Sequence, residues 1–144
     1  MELLVATNLT RVAGVTLVAD STADAVIEAL AERPGAGRRH VWQHAERELD
    51  PFAASQAGVR LARAHVDLLV TSGSAGREIA LAARDAGLEL SRAIVCGDAG
   101  IARSMLVSEV RRGDVIGLIG IGSRDQAALV AGLSAAARRG RVAA

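Results

Sequence analysis

The sequence predicts one α/β domain over residues 1–144, built in three layers from a mostly parallel sheet of about five or six strands with helices on both faces. Short runs rich in Val, Ile and Leu alternate with helix-length segments, which is the pattern of strand–helix–strand crossovers. The apolar residues are almost all Ala, Val, Leu and Ile, which suits buried parallel strands under Ala-rich helices. A chain of 144 residues also has the usual length of one domain.

The first half of the chain predicts an edge strand and two strand–helix pairs. Polar residues 20–22 follow a β-branched run and suit a helix cap, which we expect Asp20 or Ser21 to form. Asp50 is a candidate N-cap, with Pro51 in the first turn, where proline is tolerated. The predicted elements are an edge strand over 3–6, a strand over 15–19, a helix over 23–32, a strand over 39–43 and a helix over 51–64.

The second half repeats the alternation three times. Gly87 and Gly113 follow helical segments and mark their ends. The predicted elements are a strand over 66–70, a helix over 75–86, a strand over 93–96, a helix over 99–111, a strand over 114–121 and a helix over 126–138.

Four loops are predicted at one edge of this sheet, because the carboxyl ends of parallel strands meet there and ligands of open sheets bind there. Their hydroxyls, helix N-termini and single arginine favour contact with an anion, a nucleotide or a partner. The same residue types satisfy the ordinary needs of strand-to-helix turns, and this alternative stays open. The candidate ligand- or partner-binding residues are Asp20, Ser21, Thr22, Ser72, Gly73, Ser74, Asp98, Gly122, Ser123 and Arg124.

Composition excludes several classes of function. The formal net charge is +1, and acidic and basic residues are interspersed along the chain, so the concentrated basic footprint of nucleic-acid binding is missing. Every basic residue is arginine, which excludes a P-loop lysine and a Schiff-base lysine. With no bilayer-length apolar run and no secretory signal, we expect a cytoplasmic protein that binds neither membrane nor nucleic acid.

The histidines and the single cysteine do not predict a catalytic or metal site. His40 and His44 are four residues apart, but they fall on a predicted strand and its exit, where their side chains would not converge on a metal. We therefore expect His40, His44 and His65 to be solvated or capping residues. Cys96 lies in a run of Ile and Val and is interpreted as a small core residue.

Short strings at residues 14–21, 47–49, 66–73 and 111–116 together resemble the C-terminal domain of the Mur ligase family, a Rossmann-like domain. The resemblance is strongest to the enzyme that adds D-alanyl-D-alanine to the muramyl tripeptide. Residues 14–21, Gly-Val-Thr-Leu-Val-Ala-Asp-Ser, resemble the family's strand leading into an Asp-Ser turn. Residues 47–49, Arg-Glu-Leu, resemble the end of its Met-x-Glu-Leu-Gly segment. Residues 66–73 and 111–116 resemble its later strands.

The chain departs from this pattern at functional positions. Thr22-Ala23 stands where the family usually has Tyr-Asn-Ala-Asn-Pro, and the last strand lacks the family's lysine at residues 120–123. In the resembled enzymes this domain closes over an ATP-binding domain and does not catalyse alone.

The resemblance therefore implies a stand-alone, divergent closing domain with no catalytic residues of its own. It would contribute to ATP-dependent amide-bond formation only with a partner, a ligase core lacking its third domain, that supplies the ATP and magnesium sites. One alternative is a non-catalytic binding or assembly protein that keeps the fold and self-associates, for example as a homodimer. Another is a small stand-alone α/β enzyme that acts through Asp20, Ser21 or Cys96.

Overall fold

The structure, a computed structural model, describes residues 8–33, 37–46 and 50–140. The strands in these ranges are β1 (Asn8–Val12), β2 (Val15–Asp20), β3 (Arg39–His44), β4 (Leu68–Ser72), β5 (Ala93–Val95) and β6 (Val115–Ile119). The helices are α1 (Ala23–Ala31), α2 (Pro51–Arg63), α3 (Gly76–Asp85), α4 (Ala99–Glu109) and α5 (Ser123–Arg138). The predicted alternation of strands and helices is confirmed.

The strands form one sheet in the order β1-β2-β6-β3-β4-β5. Adjacent strands in the series β2-β6-β3-β4-β5 are parallel, and only β1 is antiparallel to its partner β2. Since β6 is the last strand in the chain and lies in the middle of the sheet, its loops are placed between those of β2 and β3.

Two aliphatic cores lie on opposite sides of the sheet. Val41 and its neighbours pack under α1, α2 and α3 on one face. Trp42, the next residue along β3, packs with the buried residues of α4 and α5 on the other. This alternation confirms the predicted three-layer architecture. Across the described residues, no helix is both long and apolar enough to cross a bilayer.

The structure corrects several predicted boundaries. Strand β4 runs to Ser72, which therefore lies in a strand and not in a turn. Helix α5 begins at Ser123, so Ser123 and Arg124 form its first turn. Asp114 precedes β6 and does not belong to it.

The antiparallel edge strand β1 was not predicted. Its residues are mostly exposed and show no apolar alternation, and pairing with β2 through a two-residue turn forms it instead. The edge strand predicted over 3–6 lies outside the described residues.

Candidate functional site

Two crevices open at the carboxyl edge of the sheet. Strands β2, β3 and β4 lead to α1, α2 and α3 on one face, whereas β5 and β6 lead to α4 and α5 on the other. The chain therefore leaves in opposite directions at the neighbouring pairs β2/β6 and β4/β5, which is where open sheets bind ligands. The third such boundary, β6/β3, is closed by backbone, because a Cβ on Gly120 would lie 2.8 Å from the carbonyl oxygen of His44.

The first crevice, between β2 and β6, has a volume of about 300 Å³. Asp20 and Ser21 line it from the end of β2, and Gly122 and Gln126 line it from the start of α5. The amide nitrogen of Gln126 holds the loop in shape by donating to the carbonyl of Ile121 at 2.8 Å. Arg124, exposed in the first turn of α5, follows directly after this loop.

The cap of α1 differs from the prediction that Asp20 or Ser21 forms it. Thr22 is the N-cap, and its hydroxyl accepts a hydrogen bond from the backbone N–H of Ala25 at 3.3 Å. Asp20 instead accepts from the backbone N–H of Thr22 at 3.1 Å, which fixes the turn before the helix. Ser21 is exposed at the rim of the first crevice.

The second crevice, between β4 and β5, has a volume of about 630 Å³. Gly73, Ser74 and Arg77 line it from the start of α3, and Glu46 lines it from the loop after β3. The Ser74 hydroxyl donates to the backbone carbonyl of Glu46, so the loops after β3 and β4 are joined at the side of the crevice. The crevice thus presents one guanidinium and one carboxylate, Arg77 and Glu46, neither of which was predicted as a site residue.

Cys96 also lines the second crevice, but its thiol is a poor nucleophile. The residue is 5% exposed and belongs to the core under α4 and α5. Burial, reinforced by the nearby negative charge of Asp98, raises the pKa of the Cys96 thiol above its ordinary value of 9.0. The interpretation of Cys96 as a core residue is confirmed. Asp98 itself caps α4, accepting from the N–H of Ile101 at 2.8 Å.

Between the two crevices, Ser72 organises a cluster that sequence reasoning missed. Its hydroxyl accepts from the indole N–H of Trp42 at 2.9 Å and lies 2.7 Å from Nδ1 of His44. Because the indole can only donate, the hydroxyl proton of Ser72 is free to point at Nδ1 of a neutral His44 ring. Nε2 of that ring then donates to the carboxylate of Glu46 at 3.0 Å.

The hydrogen-bonded series Ser72–His44–Glu46 has the residue order of a hydrolase catalytic triad, but a substrate cannot reach its serine. Ser72 and Trp42 are fully buried, so the hydroxyl cannot meet a substrate. Of the predicted site residues, Ser72 is therefore the one that points into the protein. The pairing of β3 with β4, which sets His44 beside Ser72, is the signal that would have revealed the cluster.

Two glycines allow the loop after β3 to pack closely at this edge. Gly73 has φ +85°, and a Cβ on it would collide with the carbonyl oxygen of Ala45. Gly120 has φ +70°, and a Cβ on it would crowd the carbonyl oxygen of His44. The 44–46 segment is thus held between the turns that follow β4 and β6, and Glu46 at its end lines the second crevice.

His40 corrects the expectation that the histidines are solvated or capping. Its ring is fully buried at the opposite, amino edge of the sheet, where Nε2 lies 2.9 Å from the carboxylate of Asp114. Asp114 also accepts from the backbone N–H groups of Arg38 and Arg111, both at 2.9 Å. This pair ties the start of β3 to the start of β6 and lies far from the crevices.

The pKa values of the pair favour a neutral histidine on a carboxylate. Burial is the largest influence on His40 and lowers the pKa of the ring below 6.5, against the opposing hydrogen bond and charge of Asp114. Burial acts to raise the pKa of Asp114, but the hydrogen bonds from His40, Arg111 and Arg38 outweigh it and hold the pKa below 3.8. The contact is therefore a hydrogen bond from a neutral imidazole.

The predicted separation of His40 and His44 is confirmed, since their nearest partners are Asp114 and Ser72. In the part of the chain that the structure describes, no group of three or more His, Cys, Asp or Glu side chains is arranged to hold a metal ion.

All four predicted loops reach the carboxyl edge, and the structure divides them between two crevices. Asp20, Ser21 and Gly122 line the first, and Gly73 and Ser74 line the second. Thr22 and Asp98 are helix caps, and Ser123 and Arg124 lie in the first turn of α5. Ligand contact at any of them stays a prediction.

The fold and this edge define a doubly wound, Rossmann-like α/β domain with two ligand-sized crevices. Solved structures of the same fold are domains of Mur ligases. A domain of a UDP-N-acetylmuramate:L-alanyl-γ-D-glutamyl-diaminopimelate ligase from Haemophilus ducreyi matches with a TM-score of 0.62 and 16% identity, covering 89% of this chain and 99% of that one. The MurF ligase from Thermotoga maritima, solved in complex with ADP, matches with a TM-score of 0.60 and 20% identity over 89% of this chain.

A third match is the murein peptide ligase Mpl from Psychrobacter arcticus, with a TM-score of 0.58 and 13% identity over 89% of this chain. The chain spans only 30% of the Thermotoga enzyme and 29% of the Psychrobacter enzyme. Comparison of the sequence itself matches no protein-family profile and no curated protein. These identities establish a shared fold, and the similar scores do not single out one Mur ligase.

Proposed function

We propose that this domain acts as the closing module of a Mur-type ligase and contributes to ATP-dependent amide-bond formation only together with an ATP-binding core. The observation that carries the proposal is the extent of the fold likeness. The match covers 99% of an isolated Mur ligase domain but only 30% of the Thermotoga ligase. Under this proposal, the remaining parts of the ligase come from another domain or another protein.

The chemistry of the carboxyl edge supports the same division of labour. Arg124, exposed beside the first crevice, can pair bidentately with a phosphate or carboxylate. The chain has no lysine to hold a phosphate chain, so ATP and magnesium would be bound mainly by the partner. Among Mur ligases, we take the D-alanyl-D-alanine-adding type as the first to test.

The test begins with the tagged chain purified from its native cell under gentle conditions. The recovered material and the chain expressed alone are each given ATP, magnesium, a UDP-linked muramyl tripeptide and D-alanyl-D-alanine, and dipeptide-dependent phosphate release is measured. We expect turnover only in the recovered complex. Arg124→Ala should lower it about tenfold, the loss for one charged hydrogen bond worth ~1.5 kcal/mol.

Arg138→Ala is the matched control, because it removes another exposed arginine, at the other end of α5 and away from both crevices. It should leave turnover unchanged. Phosphate release by the chain alone would contradict the proposal. Recovery of nothing but homodimers joined far from Arg124 would favour the assembly alternative.

A further inference from the structure

Two neighbouring buried side chains near the ends of the central strands each have one oxygen atom without a hydrogen-bond partner in the described part of the chain. Gln43 on β3 is paired in register with Thr71 on β4. Gln43 is 9% exposed and Thr71 is fully buried. Neither Oε1 of Gln43 nor Oγ1 of Thr71 has a hydrogen-bond partner among the described residues.

Both side chains point toward the layer of α1, α2 and α3. Val41 and Leu69, two residues earlier on the same strands, belong to the core of that face. Because side chains alternate along a strand, Gln43 and Thr71 point the same way. They are side by side on adjacent parallel strands, so a single small group can reach both oxygens.

The first turn of α3 adjoins the same place. A Cβ built on Gly76, the first residue of α3, would lie 3.0 Å from both Cβ and Oγ1 of Thr71. The N-cap residue of α3 is Ala75, and the helix has no side-chain cap hydrogen bond within the ranges that the structure describes. The hydroxyl oxygen of Thr71 therefore lies beside the first turn of α3, with Gln43 next to it on the neighbouring strand.

We infer that Gln43, Thr71 and the first turn of α3 enclose a site for one buried water molecule. The carboxamide oxygen of Gln43 only accepts, whereas the Thr71 hydroxyl both donates and accepts. A water molecule can donate one hydrogen bond to the Gln43 oxygen and form another with the Thr71 hydroxyl. An anion would oppose the carboxamide oxygen, and a larger ligand has no route to a fully buried hydroxyl. Buried water of this kind commonly has two to four polar partners and is part of the fold.

The position gives the water a structural consequence for the second crevice. Thr71 is followed by Ser72, Gly73 and Ser74, and Gln43 is followed by the 44–46 segment that packs on Gly73. The water joins β3 to β4 directly beneath the loops that line this crevice.

Thr71→Val tests the site, because valine keeps the shape of threonine and removes only the hydroxyl. If the hydroxyl holds a bridging water, the variant should melt at a lower temperature than the wild type, since the oxygen of Gln43 loses its donor. If the hydroxyl has no partner, removing it should raise the melting temperature, and the inference would be wrong. Thr10→Val makes the same change on the exposed strand β1 and should have little effect.

A high-resolution crystal structure then separates a bridge from a direct contact. We expect one ordered water within hydrogen-bond distance of both Gln43 and Thr71, and its loss in Thr71→Val. The double variant with Gln43→Met should then be less destabilised than the sum of the two single variants, because both act on one water. A direct Gln43–Thr71 hydrogen bond, or a dry contact, would overturn the inference.

Discussion

At the scale of single residues, the buried His40–Asp114 pair makes stability depend on pH. Below pH 6.5 a histidine in the unfolded chain takes up a proton that folded His40 resists, because burial lowers its pKa. Stability should therefore be complete above pH 6.5 and fall as the pH drops below it. Asp114, with its pKa lowered from 3.8, adds a second loss as the pH falls through its folded value.

The prediction is checked by urea unfolding at a series of pH values. His40→Gln keeps a donor for Asp114 but cannot titrate, and it should flatten the decline that begins near pH 6.5. His65→Gln changes an exposed histidine and should leave that decline in place. An unchanged decline in His40→Gln would show that another group is responsible.

Ser72 is the second residue whose removal should have a specific effect. Ser72→Ala leaves the indole N–H of Trp42 buried without its acceptor, which typically costs about 1–3 kcal/mol. The free energy of unfolding and the tryptophan fluorescence maximum measure this change. Ser74→Ala removes an exposed hydroxyl and should be much milder. Equal losses in both variants would argue against the cluster.

At the scale of elements, two adjacent hydroxyl groups before α1 differ in role, because Thr22 caps the helix and Ser21 does not. Thr22→Ala removes the oxygen that accepts from Ala25 and should lower the free energy of unfolding by about 1 kcal/mol. Ser21→Ala, one residue earlier, should be close to neutral, because Ser21 is exposed and does not cap the helix. Chemical denaturation of the two variants side by side decides whether the assignment is right.

The hairpin that makes β1 offers a stabilising change. Ala13 and Gly14 connect β1 to β2 with φ values of +52° and +76°, the backbone of a type I′ turn. Alanine is strained in this conformation, whereas asparagine tolerates it, so Ala13→Asn should raise stability by a few tenths of a kcal/mol to about 1 kcal/mol. A fall in melting temperature would mean that the turn has another shape in solution.

At the scale of the whole molecule, helix direction segregates charges that are interspersed in the sequence. Each helix runs back from the carboxyl edge, so all N-termini lie there and all C-termini lie at the amino edge. Acidic residues lie in the first turns of α1, α3 and α5, and arginines lie in the last turns of α2, α3 and α5, as helix dipoles favour. Examples are Asp24, Glu78 and Asp125 in first turns, and Arg63, Arg84 and Arg138 in last turns.

This segregation has a cost for the proposed function, because it makes the crevice edge acidic. Arg77 and Arg124 stand there among several carboxylates, which oppose an approaching phosphate. If the proposed function is right, contact with a nucleotide would therefore need magnesium or cationic groups from the proposed partner core.

Reversing the charge of an arginine at a helix C-terminus tests whether the helix dipole contributes to stability. Arg138→Glu places a negative charge at the C-terminus of α5 and should lower stability by about 0.3–1 kcal/mol at low ionic strength, less in 1 M salt. Arg103→Glu, in the middle of α4, has no helix end to act on and should change stability less. Denaturation curves at two salt concentrations give both comparisons.

The fold class followed from the sequence because its signals are local. Val- and Ile-rich runs, helical spacing and the turns around Gly87 and Gly113 depend on residues close together in the chain. The carboxyl edge could be predicted for the same reason, since parallel strands must end together. The mostly polar strand β1 and the true ends of β4 and α5 carry no such pattern, and pairing or capping decided them.

The particular contacts of the site depended on the tertiary structure, because their partners are far apart in sequence. His44 meets Ser72 because β3 pairs with β4, and His40 meets Asp114 because β6 inserts beside β3. The same insertion turns one predicted surface into two crevices separated by the 44–46 segment. The sequence by itself determined the elements and the edge where they end, whereas strand order, which no local pattern encodes, decided which side chains face one another there.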